Sequence, residues 1–139
     1  MLCVAGGSGL APILAILQEA VAAGVTRPAT LLFGARTQEE LPYFGPLLNL
    51  PKDFIDIHFA FSRTPAQPKR YVQDAMRERA ADLGPLLADP NAYFYVCGLK
   101  AMEEGVVLEL HDIAQGAGLE WAHIGAALKR EGRLHLVTY

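Results

Sequence analysis

Five short apolar runs, separated by stretches of helical periodicity, constrain this chain more than any other feature. Leu2 to Ala5, Thr30 to Gly34, Ile55 to Phe61, Tyr93 to Cys97 and Leu134 to Tyr139 read as strands. Leu10, Ile13, Leu14, Leu17 and Val21 recur at helical spacing and predict a helix from Leu10 to about Ala23. Further helices are predicted from about Tyr71 to Ala81, along the face made by Met102, Val106, Leu110, Ile113 and Ala117, and from about Trp121 to Arg130. Gly116 and Gly118 stop the helix that carries Met102 to Ala117, and Glu103 and Glu104 sit in its first turn, where the helix dipole favours them. Arg36 to Leu50 reads as a polar loop with a short helix, and Leu83 to Pro90 as a connector. Alternation of this kind predicts an α/β, doubly wound, five-stranded parallel sheet with helices on both faces, a Rossmann-like arrangement. Ligands of such sheets sit beyond the carboxyl ends of the strands. That rule selects Gly6 to Gly9, Gly34 to Arg36, Ser62-Arg63 and Cys97-Gly98.

The chain is long enough for one domain with a sizeable core, spanning residues 1–139. A net charge of −3 and no basic stripe argue against nucleic acid as a partner. No apolar run reaches membrane-spanning length, because the first helix meets Gln18 and Glu19. Two cysteines are too few for a disulfide framework or a tetrathiolate metal site, and no histidine has metal-ligand spacing with another His, Cys or acid. No metal is expected, and a reducing, cytoplasmic setting is. The chain opens almost directly into a strand, which points to the C-terminal part of a longer protein.

The first strand runs into Gly6-Gly7-Ser8-Gly9, then into the start of a helix. Strand, glycine loop and helix N-terminus together place backbone N–H groups against a phosphate. A Cβ on the loop would hold a pyrophosphate away from the backbone. Gly7-Ser8-Gly9-Leu10-Ala11-Pro12 matches G-x-G-x-x-G except at the last position, where Pro12 suits the first helical turn. The acidic residue that would hold a ribose about twenty positions on is missing, since Arg27 and Pro28 stand there. Glycine-rich turns also serve ordinary strand-to-helix packing.

Two other strand ends carry chemistry. Ser62-Arg63 and then Lys69, Arg70, Tyr71 and Gln73 gather a hydroxyl, cations, a phenol and an amide. Arginine offers phosphate a planar fork, lysine a point charge, and tyrosine a ring on which adenine stacks. The plainer reading is a solvated loop entering a helix, with Tyr71 a half-buried cap. Cys97-Gly98-Leu99-Lys100-Ala101-Met102 ends the fourth strand. Gly98 allows close approach of a flat ligand and Cys97 presents a small polarizable thiol; the plainer reading is a buried cysteine and a glycine turn. Cys3 is assigned to the core, as is Trp121. Ser8 and Ser62 lack a nucleophile-elbow context, so hydrolase chemistry has little support. Terminal Tyr139 is tethered at one end only, so it is easily displaced.

Taken together, these segments resemble the C-terminal NADP-binding domain of the plant-type ferredoxin–NADP reductase family, over nearly the whole chain and in order. Ala5 to Pro12 looks like its pyrophosphate loop. Ser62-Arg63 with Lys69-x-Tyr71-x-Gln73 looks like its 2′-phosphate and adenine site, and Tyr95 to Glu103 is close to its nicotinamide-side motif. Gly118 to Trp121 and Tyr139 also fit. Cys97 to Gly105 and Lys129 to Tyr139 look most like the reductase component of a benzoyl-CoA oxygenase. The resemblance implies NADP(H) as cofactor, together with FAD held mainly by a preceding domain that this chain lacks. It implies hydride transfer between nicotinamide and flavin, and single electrons passing to a protein acceptor, an oxygenase component or a ferredoxin-like protein.

By the same resemblance, Gly6, Gly7, Ser8, Gly9, Pro12 and Arg36 contact the cofactor, as do Leu99 and Met102. Ser62, Arg63, Lys69, Tyr71 and Gln73 select NADP(H). Cys97 and Gly98 flank the nicotinamide, and Tyr139 gates the flavin; Cys97 and Tyr139 are the catalytic candidates. One departure stands out: the family's glutamate two residues before the terminal tyrosine is Val137 here. Two other functions remain open to the same pocket: a non-catalytic nucleotide-binding module, and a flavoreductase feeding a different acceptor.

Overall fold

The computed structural model describes residues 1–6, 10–24, 28–35, 50, 51, 53–62 and 70–138. Within them β1 (Leu2–Gly6), β2 (Ala29–Ala35), β3 (Ile55–Phe61), β4 (Phe94–Gly98) and β5 (Leu134–Thr138) form one sheet in the order β3-β2-β1-β4-β5. Every neighbouring pair is parallel. The helices are α1 (Leu10–Ala22), α2 (Val72–Glu78), α3 (Ala80–Ala88), α4 (Lys100–Gly116) and α5 (Trp121–Arg130). Both faces of the central strands are apolar because both are covered, as parallel sheets require.

Alternation along the strands divides the core into two layers. Cys3, Ala5, Leu31 and Phe33 face one side, where Ile13 and Leu17 of α1 pack on them. Leu2, Val4, Leu32, Phe94 and Val96 face the other, against Met76, Leu83, Leu87, Val106, Leu110 and Leu128 from α2 to α5. Each fully buried leucine or phenylalanine contributes roughly 2 kcal/mol of transfer free energy. The doubly wound sheet is therefore as the sequence predicts, with β3 and α5 matching the expected spans residue for residue.

One stretch differs. The expected helix over Tyr71 to Ala81 breaks at Arg79, which has φ −106° and ψ 17°. A second helix, α3, then occupies most of the expected connector, through Ala88. Gly84 and Pro85 read as breakers, but Leu83 and Leu87 lie one turn apart and both are buried. Their burial outweighs the local propensity. Gly84 also has a use: a Cβ there would stand 3.2 Å from that of Ala117. At the break, the Arg79 guanidinium donates to His58 Nδ1 at 2.9 Å. His58 Nε2 therefore carries the proton and donates to Asp56 Oδ2 at 2.7 Å. The expected short helix between Arg36 and Leu50 lies outside the described residues.

At the amino end of the sheet, Arg133 is 8% exposed and makes three hydrogen bonds among the described residues. Its Nε donates to Glu131 Oε2 at 2.6 Å, and Nη1 donates to the carbonyls of Asp89 at 3.0 Å and Ala92 at 3.1 Å. The Arg133 carbonyl in turn accepts the Phe94 N–H at 2.8 Å. The turn before β4 and the turn before β5 are thereby tied together.

Candidate functional site

In a wholly parallel sheet every carboxyl end lies on one rim. The order β3-β2-β1-β4-β5 makes chain connections leave β1 in opposite directions, so the crevice of this rim falls between β1 and β4. Gly6 ends β1 and Gly98 ends β4. Both point toward the layer that carries α4, and both leave room for one side chain. A Cβ on Gly6 would stand 2.7 Å from Met102 Sδ. A Cβ on Gly98 would stand 2.7 Å from Met102 Cε and 3.0 Å from Sδ. Glycine is thus required here for packing as well as for any ligand above. Gly34, at the end of β2, similarly makes room for Val72, whose Cγ1 would lie 3.0 Å from a Cβ.

Cys97 stands opposite Ala5 on one side and Val137 on the other. It is 2% exposed, and burial pushes its thiol pKa up from the ordinary value. The thiol is neutral near pH 7 and offers a small polarizable surface rather than a nucleophile. Leu99, 59% exposed, caps α4, and its carbonyl accepts the Glu103 N–H at 3.1 Å. Val137, in the place where the resembling family has a carboxylate, is 50% exposed. An apolar wall therefore flanks Cys97 on the β5 side.

At the other end of the rim, Ser62 follows β3, and the Arg70 N–H donates back to the Phe61 carbonyl at 3.2 Å. That bond returns the chain to the end of β3 and sets Tyr71 beside it. Tyr71 caps α2: its N–H donates to Asp74 Oδ2 at 2.8 Å while its side chain stays 51% exposed. Asp74 also accepts from Arg77 Nη1 at 3.3 Å, and Arg70 Nη2 donates to Glu78 Oε2 at 2.7 Å. Both carboxylates of α2 are thereby engaged. Gln73 points elsewhere. Its amide fills the notch left by Gly105 on α4, with Oε1 buried and without a hydrogen-bond partner, as is Arg70 Nε. Pro12 is exposed in the first turn of α1.

The structure thus brings Gly6, Ser62, Tyr71, Cys97, Gly98, Leu99 and Met102 to one rim. From β3 to β4 that rim crosses three inter-strand gaps, about 14 Å. Gln73 lies beneath it. Gly7, Ser8, Gly9, Arg36, Arg63, Lys69 and Tyr139 lie outside the described residues. Sequence reading missed the pairing of Gln73 with Gly105, although an isolated glycine inside a helical pattern was the available signal. Among the described residues no cluster of three or more His, Cys, Asp or Glu could hold a metal, and no helix is long and apolar enough to cross a membrane.

A separate groove of about 440 Å³ lies between α3 and α4, lined by Arg77, Ala80, Gly84, Glu109 and Asp112, among others. Glu109 is buried there and accepts from Arg77 Nη2 at 3.2 Å. At 1.5 Å per helical residue, Glu109 lies about 14 Å down α4 from the rim. None of the candidate cofactor-binding or catalytic residues lines this groove.

Comparison with known proteins adds independent findings. The oxidoreductase NAD-binding domain family matches residues 3–107. The cyanelle ferredoxin–NADP reductase of Cyanophora paradoxa is 30% identical over 150 residues, which cover 100% of this chain and 41% of that protein. The ferredoxin–NADP reductase of Spirulina sp is 30% identical over 153 residues, covering 100% of this chain and 51% of its own length. The chloroplastic enzyme of Spinacia oleracea is 31% identical over 117 residues, covering 80% and 32%. The chain spans about two fifths of the length of such relatives.

Proposed function

The chain belongs to the oxidoreductase NAD-binding domain family, and from that premise we propose that it is the NADP(H)-binding part of a flavin-dependent reductase. Its role is to hold NADPH so that hydride reaches FAD on a domain outside these 139 residues. A protein acceptor then takes the electrons one at a time. The observation that carries this reading is the rim itself. Seven of the residues selected from sequence fall along about 14 Å of strand ends, an extent suited to an extended dinucleotide.

The residues present fit such a ligand. Glycines at the ends of β1 and β4 keep side chains off the crevice above Met102. The exposed Tyr71 ring offers a face to adenine. Ser62, Arg63 and Lys69 supply a hydroxyl and two cations to the 2′-phosphate, with Glu78 paired to Arg70 and Asp74 to Arg77, which it shares with Glu109. Gly7, Ser8 and Gly9 direct backbone N–H groups at the pyrophosphate beside the start of α1. Arg36 is assigned to the adenosine side of the cofactor, and Pro12 and Leu99 to the pyrophosphate and nicotinamide respectively. Gln73 contributes at the adenine after leaving its notch. NADPH supplies the hydride when bound. Cys97 and Gly98 give the nicotinamide a flat, dry seat, and Tyr139 covers the flavin face until the ring arrives. Val137 cannot relay a proton, so orientation of the nicotinamide rests on Cys97, Gly98 and Leu99.

The acceptor is a ferredoxin-type protein or an oxygenase component. The relatives' names favour the first, and the resemblance of Cys97 to Gly105 favours the second, with a benzoyl-CoA oxygenase as the specific case. Two free, reduced cysteines suit the cytoplasm.

Titration of the chain with 2′,5′-ADP and with 5′-AMP tests the reading. Charge-assisted contacts to the 2′-phosphate are expected to favour the first ligand by about tenfold or more. Arg63→Ala is expected to remove most of that preference. Equal affinities for the two ligands would overturn the NADP assignment, and an unchanged ratio in Arg63→Ala would remove Arg63 from the site.

A further inference from the structure

We propose that Met102 is an oxidation site that controls this crevice: a peroxide converts its thioether to the sulfoxide, and the ends of β1 and β4 then lose the spacing that dinucleotide binding requires. The second half of this inference rests on the nucleotide reading above; the first half does not.

The position of the sulfur carries the argument. It lies 2.7 Å from where a Cβ of Gly6 would be and 3.0 Å from where a Cβ of Gly98 would be. One thioether therefore fills the gap under two strand ends from adjacent strands. A methionine adapts to such a gap because it is unbranched and its sulfur is soft. The sulfoxide adds a polar oxygen and a fixed pyramidal sulfur in the same space. One polar atom facing the gap is the Gly6 carbonyl oxygen, 3.5 Å from the Gly98 Cβ position, and it is itself an acceptor. The new oxygen gains nothing from that acceptor and is better solvated turned outward to water, which carries the side chain away from the glycines. The alternative, a buried sulfoxide without a donor, is disfavoured.

Access distinguishes this methionine from another in the same layer. Met102 is partly buried on the first turn of α4, whereas Met76 is fully buried under the sheet. The chemistry balances with a peroxide as the oxidant. The sulfur lone pair attacks the outer oxygen and the O–O bond breaks. The sulfur loses two electrons, and the displaced hydroxide takes a proton to leave as water.

The test treats the 139-residue chain with hydrogen peroxide. Peptide mass mapping follows Met102 and Met76, and NADP+ affinity is measured before and after. Met102 is expected to oxidise several-fold faster than Met76, with NADP+ affinity falling about tenfold. Methionine sulfoxide reductase is expected to restore the affinity. In Met102→Leu, the ratio of affinities before and after peroxide is expected to stay near one, whatever the starting affinity. Oxidation of Met102 no faster than Met76 would overturn the proposal. So would full oxidation without a change in affinity, or a loss that persists in Met102→Leu, which would point to the thiols instead. If the untreated chain binds no NADP+, the nucleotide reading fails, and the inference is then judged by amide hydrogen exchange over residues 94–98. Faster exchange after oxidation supports it, and unchanged exchange overturns it.

Discussion

The two ends of the sheet are built by opposite rules. At the amino end, Arg133 is buried and its hydrogen bonds close turns: to Glu131, to the Asp89 carbonyl and to the Ala92 carbonyl. At the carboxyl end, β1 and β4 stop in glycine, apolar side chains such as Leu99 and Val137 face outward, and Gln73 Oε1 and Arg70 Nε are buried without partners among the described residues. A satisfied polar cluster fixes geometry, whereas an unsatisfied one keeps hydrogen-bonding capacity for something not yet bound. The first end holds the fold, and the second is the one to which the function proposed above assigns a ligand.

The strongest way to break this contrast is Arg133→Ala. The substitution removes two donors from buried carbonyls and leaves a void between the turns before β4 and β5. A loss of about 3 kcal/mol in urea unfolding is expected. The preference for 2′,5′-ADP over 5′-AMP should survive in the fraction that remains folded. A loss below about 1 kcal/mol would show that the amino end is not the clamp described here.

Gly98→Ala probes the opposite end. The new Cβ collides with Met102 Cε and Sδ, and overpacking of this kind costs about 2 kcal/mol. In a Met102→Ala background the collision part of that cost should vanish, while the backbone strain of a side chain at Gly98, whose φ is +159°, remains in both backgrounds. The double-mutant cycle therefore reads the coupling directly. Additive effects would mean that Gly98 is glycine for a reason unrelated to Met102.

The contrast also shows how far sequence alone reaches. Periods of 2 and 3.6 residues locate β3 and α5 to the residue, and a parallel sheet then forces the strand ends onto one rim whatever the details. What escapes is what depends on residues far apart in the chain. Gly6 and Gly98 share Met102; Gly105 makes room for Gln73; Gly84 approaches Ala117. A glycine looks the same in sequence whether it clears space for a ligand or for a side chain. Helix α3 escaped for a related reason: Gly84 and Pro85 are local signals, and the burial of Leu83 and Leu87 that overrides them is not. Gln73 was assigned from its neighbours Lys69 and Tyr71, yet its side chain turns beneath the rim. The assignments at 7–9, 36, 63, 69 and 139 await the experiments proposed above.

A smaller effect comes from Cys3, the interior member of the two thiols on one face of the sheet. Burial pushes its pKa from 9.0 up to about 12. The folded state therefore keeps the proton where the unfolded chain has released it. Stability from this thiol is complete below about pH 9 and is lost as pH rises toward 12, by about 1 kcal/mol per pH unit. Cys3→Ala should flatten the alkaline limb of the stability profile. An unchanged slope between pH 9 and 11 would assign that limb to other groups.

The smallest expected effect separates the two thiols themselves. Cys97 and Cys3 are both buried and free, and burial raises both pKa values. Both should react slowly with iodoacetamide at pH 8. They differ in place: Cys97 is one residue from the end of β4, next to exposed Leu99, while Cys3 lies under α1. Opening of the rim alone exposes Cys97, whereas only global unfolding exposes Cys3. NADP+ seated on the rim should therefore slow Cys97 several-fold more than Cys3. If it slows both by the same factor, both thiols react through the unfolded state, and the protection reports binding linkage rather than contact. The carboxyl end would then be as firmly closed as the amino end, and the contrast between them would fail.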